Sequence, residues 1–158
     1  MVQVITGDEE NTDPRKPEGA LAEFYRAFNS RDLALMEQNW AGDDAVLYHE
    51  LGGVRHGWNE IKELYEQTLL SSPAGVLMQF HDYRIDRFAD TFFACGQERG
   101  LLRTQKDVLE FRIRATRVFA WRGGRWRQLH HHSSIEEPEL LANYLTLVLT
   151  GHIAGEMA

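Results

Sequence analysis

The chain has 158 residues, 43% of them hydrophobic and 26% charged, a balance that supports one buried core and excludes a disordered polymer. A single cysteine, Cys95, excludes an internal disulfide framework and a cysteine-rich zinc site. The net charge of −7 is uneven, since residues 84–127 hold 11 Lys and Arg against 5 Asp and Glu; these cations mostly alternate with apolar residues, as on strands, so no nucleic-acid partner is expected.

The opening stretch MVQVITGDEENTDPRKPEG has no basic region followed by an apolar one, and no uninterrupted apolar run approaches a membrane span. A cytoplasmic protein without a membrane partner is expected. Residues 1–17, polar and carrying Pro14 and Pro17, read as a disordered lead-in. From Glu18 the pattern turns helical, with Leu21, Phe24, Tyr25 and Phe28 on one face. Asn29–Asp32 breaks it. A short second helix then carries Leu33, Leu35, Met36 and Trp40, and residues 41–44 form a turn. Ala45–Leu51 reads as a strand, Gly52, Gly53 and Gly57 bound a loop, and Trp58–Leu70 is a third helix.

Beyond Pro73 the chain changes to long strands: Val76–Phe88, Thr91–Leu102, Val108–Trp121 and Arg125–Ser134. Gly123-Gly124 between the last two is a hairpin signal. Glu136–Leu149 closes the chain as a helix with Pro138 in its first turn. This order predicts an α+β fold. It is a cone-shaped roll in which a curved antiparallel sheet packs on three N-terminal helices, with a C-terminal helix added. The predicted divisions are the lead-in 1–17, the domain 18–136, and a C-terminal helix and tail 137–158.

The stretch LAEFYRAFNSRDLALMEQNWAGDDAVLYHE, in that element order, resembles the first two helices and first strand of the nuclear transport factor 2-like superfamily, which includes ketosteroid isomerase and SnoaL-like polyketide cyclases. The later stretch ATRVFAWRGGRWRQLHHHSS is similar to the association (hub) domain of calmodulin-dependent protein kinases. The superfamily resemblance covers residues 18–136. It implies a cavity between sheet and helices, and it leaves the function open, because the superfamily mixes enzymes, binding domains and assembly modules.

Arg117 is the most informative side chain. It is the one charge in an alternation otherwise made of Leu109, Phe111, Ile113, Ala115, Phe119 and Trp121, so it is expected to point into the core. There it is either half of a structural salt bridge to an inward Glu or Asp, or a clamp for a ligand carboxylate. The hub resemblance favours the clamp. Arg99, in an alternation with Phe93, Cys95, Gln97 and Leu101, is a second expected cavity cation, its alternative being a solvated edge charge.

By the resemblance, His49 falls where ketosteroid isomerase has its general base, and a histidine can move protons near neutrality. It either does so or hydrogen-bonds at the cavity rim. That isomerase's catalytic tyrosine position falls on Phe24 and its oxyanion-hole aspartate on Thr116 or Arg117, so steroid isomerisation is not expected. The run His130-His131-His132 could place only His130 and His132 on one ion, with no third ligand nearby, so no metal is expected. The resemblance turns His131 and Ser133 to the cavity together with Leu129. Tyr25 either lends its hydroxyl to the cavity or is core, and Cys95 reads as an inward small hydrophobe.

No dinucleotide or phosphate-loop motif is present, so no cofactor is expected. The expected function is a SnoaL-like pocket protein for a carboxylate-bearing or oxygenated organic compound. Any chemistry would be a cofactor-free isomerisation, cyclisation or dehydration, with His49 and His131 as acid–base groups and Arg117, Arg99, Tyr25 and Ser133 as ligand contacts. The alternative is a non-catalytic assembly module like a kinase hub. A homodimer is expected through the convex sheet face, with Val118, Ala120, Trp126 and His130 pointing outward.

Overall fold

In the computed structural model, residues 3–42, 47–51 and 53–153 are described, residues 47–50 by their backbone alone. A two-residue strand, β1 (Val4–Ile5), precedes helices α1 (Pro17–Ser30) and α2 (Leu33–Asn39). A hairpin follows, β2 (Leu47–Glu50) and β3 (Gly53–His56), then helix α3 (Gly57–Tyr65), which runs into a π-helical turn at Glu66–Leu70. Four long strands come next: β4 (Gly75–Phe88), β5 (Thr91–Arg103), β6 (Val108–Arg122) and β7 (Arg125–Ser134). Helix α4 (Pro138–Thr150) closes the chain. Among the described residues no helix is long and apolar enough to cross a membrane.

All seven strands share one sheet in the order β1-β4-β5-β6-β7-β2-β3. The pairings are antiparallel except β2 with β7, which is parallel. The α+β roll expected from the sequence is therefore the observed fold. The β6–β7 turn has φ of 60° at Gly123 and 80° at Gly124, the left-handed pair that a two-residue hairpin demands. Register shifts lie between His81 and Arg84 and between Val118 and Phe119. Such irregularities add twist and curve the sheet around the helices.

Helix α1 lies against this curve. Its C-terminus turns on Arg31, which has a left-handed φ of 58°, and Asp32 then caps α2 by accepting a hydrogen bond from the Leu35 N–H at 2.9 Å. Between sheet and helices lies an aromatic core of Phe24, Phe80, Phe92, Phe111, Phe119 and Trp126, all at most 2% exposed. Phe92 stacks on Phe119 at 4.7 Å and meets Trp126 edge-on at 5.0 Å. At one end of the core Glu23 accepts from Asn39 at 3.1 Å and pairs with Arg125, tying α1, α2 and β7 together.

Three expectations are corrected. The N-terminal lead-in is not free: Val4 and Ile5 pair with His81 and Phe80, and Ile5 is buried. Arg26 of α1 donates to the Gly7 carbonyl at 2.9 Å, to the Thr12 hydroxyl at 2.8 Å and to the Glu9 carbonyl at 2.5 Å. The partners that order this segment sit on β4 and α1, so its own polar composition does not reveal them. Residues 53–56, expected as loop, form β3. Trp126, expected outward, is fully buried. The β6–β7 irregularity reverses the alternation there, and Trp126 donates its indole N–H to the Arg15 carbonyl at 3.1 Å.

Candidate functional site

Period-two geometry turns Arg117 of β6 inward, as expected, and leaves it with no exposed surface. An arginine in the core stays charged and must be met on all sides. Its guanidinium ion-pairs with Glu98 of β5. It also donates to Gln128 Oε1 at 2.6 Å and, through Nε, to the Tyr25 hydroxyl at 3.2 Å. Tyr25 in turn donates to Glu98 Oε1 at 2.9 Å. The Phe24 ring covers the guanidinium at 3.6 Å. One cation, one anion and their hydrogen bonds close on themselves.

His131 stands across from Arg117 in the β6–β7 register. Its Nε2 lies 2.8 Å from the Ser133 hydroxyl and 3.7 Å from Glu98 Oε1. Burial, with the Arg117 charge adding to it, holds the imidazole well below the usual histidine range, so it is neutral at pH 7. Burial likewise pushes the Tyr25 phenol up. The Arg117 guanidinium is lowered by burial, but Tyr25 and Glu98 outweigh this and hold it above its usual range. Ser133 and His131 do not form a nucleophile–base pair of the hydrolase kind. The Glu98 carboxylate approaches the same ring nitrogen as the serine, not the opposite nitrogen from which a hydrolase carboxylate orients its base.

The fold thus brings together Arg117, Tyr25, His131 and Ser133, and adds Glu98 and Gln128, which sequence reasoning missed. Arg99 is not among them. It faces the outer side of β5, directly opposite Arg112, and bonds to Asp82 and Gln97 with 37% of its side chain exposed. This is a correction: the inward set of β5 is Phe92, Ala94, Glu98 and Leu102. Cys95 is consequently exposed rather than inward. The signal that could have found Glu98 is its place as the one charge in that set. Ala94, Gly96 and Gly100 thin out the apolar side and hide the phase. The backbone of His49 pairs with His132, but its side chain lies outside the described residues, and with it the expected base. Among the described residues, no three His, Cys, Asp or Glu side chains converge as a metal site.

Beside this network an apolar cleft of about 240 Å³ opens between α1, α3 with its π-turn, the start of β4, and α4. Phe28, Leu64, Leu69, Val76, Tyr144 and Val148 form its walls, and Arg55 and Thr68 also line it. Tyr65 belongs to both regions. Its ring lines the cleft, while its buried hydroxyl receives a hydrogen bond from Trp40 and feels the charges of Arg117 and Glu98. Burial pushes that phenol up as well. A π-turn widens the helical repeat and commonly marks a functional wall.

The family profile of the SnoaL-like domain matches residues 18–137. In Arabidopsis thaliana the F-box protein SKIP8 is 27% identical over 114 residues, covering 72% of this chain and 46% of that protein. The chain thus spans about half the length of the curated relative it matches. A candidate dehydratase of the NTF2-like family from Streptomyces avermitilis superposes with a TM-score of 0.68 at 20% identity, over 75% of this chain and 91% of that one. A candidate calcium/calmodulin-dependent protein kinase type II association domain from Thiobacillus denitrificans superposes with a TM-score of 0.64 at 24% identity, over 77% and 96%. Both likenesses show the fold alone. With the profile spanning most of its length on a fold of this kind, the chain belongs to the SnoaL-like family.

Proposed function

We propose that the domain binds a small carboxylate-bearing or oxygenated organic compound in the apolar cleft, and that the buried network around Arg117 takes no direct part in any chemistry there. The observation that carries this reading is the separation of two environments. The cleft is open and walled mainly by apolar side chains, whereas Arg117, Glu98, Tyr25 and Gln128 are each at most 2% exposed and bonded to one another, with His131 buried beside them. A general acid or base must come within hydrogen-bond reach of its substrate. In this reading the buried network fastens the sheet to α1 and shapes the floor of the cleft through Tyr65. The test is an NMR titration with small aromatic and aliphatic acids and alcohols. Saturable shifts centred on Leu64, Thr68, Tyr144 and Val148 support the reading. Shifts centred on Arg117 and His131, or no saturable binder, defeat it.

A second reading, homodimerisation through the outer sheet face, draws on a different observation. Phe88 is 63% exposed and stacks on Phe93 at 5.9 Å, with Val118 next to Phe93 in register. Exposed aromatic surface of this kind favours burial against a second copy. Light scattering at micromolar concentration tests it, and a monomeric mass defeats it.

A further inference from the structure

We infer that the end of the sheet formed by the β4–β5 and β6–β7 turns docks on a lipid surface bearing anionic headgroups. The two turns lie side by side, and the Trp121 N–H donates to the Asp90 carbonyl at 2.7 Å across them. Phe88 sits in one cross-strand row with Thr91 and Ala120, and Trp121 in the next. Both rings are open to solvent, Phe88 to 63% and Trp121 to 40%. Phe88 stacks on Phe93 on the outer face, whereas Trp121 belongs to the inner set of β6 and meets the buried Trp126 edge-on at 5.2 Å. The two rings thus flank one end of the sheet from both faces. Nothing crowds the β6–β7 turn beyond them: a Cβ at Gly123 or Gly124 would stand in open space.

The charge at this end runs against that of the chain. Residues 84–91 and 120–127 hold five arginines and two aspartates in a protein of net charge −7. Arg84 pairs with Asp86 and Arg125 with Glu23, while Arg127 donates to the Gln38 carbonyl at 3.1 Å. Arg122 and Arg87 are exposed and have no carboxylate partner among the described residues; Arg87 lies over the Trp126 ring. Exposed rings beside arginines suit the boundary between headgroups and acyl chains. There a ring buries its apolar body and a guanidinium meets phosphate or carboxylate. A peptide partner would need a groove for its side chains, and two projecting turns offer an edge instead. Such docking needs no membrane-spanning helix. It also leaves the cleft in water, because β4 runs about 40 Å from Val76 at the cleft to Phe88.

The chain carries its own reporter. Trp40, Trp58 and Trp126 are each at most 7% exposed, so Trp121 is the tryptophan that an aqueous quencher reaches. The experiment follows the fluorescence of the whole chain with vesicles of phosphatidylcholine, alone or with about 30 mol% phosphatidylserine. Anionic vesicles are expected to shift the emission to the blue, to protect Trp121 from acrylamide, and to quench it when their acyl chains are brominated. Neutral vesicles should act about tenfold more weakly, and added sodium chloride should remove the difference. Arg122→Glu should weaken binding to the anionic vesicles about tenfold. Asp90→Asn, which removes an exposed carboxylate from the turn, should tighten it about three- to fivefold. No binding to anionic vesicles, binding that leaves Trp121 open to acrylamide, or binding indifferent to Arg122→Glu overturns the proposal. Protection of Trp121 by self-association without vesicles would make this end a contact between copies. Stronger protection by a single-stranded oligonucleotide than by vesicles would make it a nucleic-acid surface. Either result overturns the lipid assignment. Should Arg122→Glu fail to fold, Asp90→Asn and the salt titration decide.

Discussion

Glu98 and Arg117 lie on the adjacent strands β5 and β6, and their side chains meet as an ion pair with essentially no exposure on either side. Removing one member leaves the other charged and buried. Arg117→Met should therefore cost about 3–5 kcal/mol of unfolding free energy. Pairing it with Glu98→Gln should recover a large part of the loss. Urea unfolding of both single variants and the double variant checks this; strict additivity would mean that the pair is not coupled.

The neutral state of His131 carries a pH signature. Its folded-state pKa is depressed, while the unfolded chain titrates near the ordinary 6.5. Below about 6.5 the unfolded chain binds a proton that the folded chain refuses, so stability falls as the solution is acidified through that window. Above it the term is constant. His131→Gln removes this proton uptake and should flatten the stability curve below about pH 6.5 relative to the wild type. An unchanged slope would assign the acid sensitivity to other groups.

Gly124, at φ 80° in the β6–β7 turn, adopts a conformation that side chains with a Cβ resist. Its Cβ position is open space, so the penalty in Gly124→Ala is conformational alone. A loss of about 1 kcal/mol is expected. Binding in the distant cleft should be unaffected, which a melt and a probe titration on the same sample can read together.

Arg26 holds three oxygens of residues 7–12. Arg26→Ala should release that segment from α1 and lower stability by about 1–3 kcal/mol. Amide exchange should quicken at Val4–Ile5 and at their β4 partners before it does so in β6. Uniform quickening across the sheet would show that the segment is not a separately opening unit.

The large elements were legible because their signals are local. Leu21, Phe24, Tyr25 and Phe28 recur at the helical period, and Gly123-Gly124 names its own turn. Arg117 was placed inward by seven positions of alternation on one long strand. The misses share a cause: each depends on another part of the chain. β1 and β3 are too short to show a period and exist through their partners. β5 has small residues on its buried side, so its phase, and with it Glu98, was lost. In β7 the irregularity opposite Val118 and Phe119 reverses which residues face the core, so Trp126 was assigned to the wrong side while His131 and Ser133 were not. The cleft is built by α1, α3 and α4 together, and no single segment announces it.

The bonds of Tyr25 set the order in which the chain can become whole. Its hydroxyl finds Glu98 73 residues later and Arg117 92 residues later. During synthesis, then, the first helices leave the ribosome long before anything exists that can cover their inner face. Closing such distant contacts is slow. Until β5 and β6 have emerged, the inner face of α1 is without the sheet that covers it, and the domain is completed only as its last strands arrive.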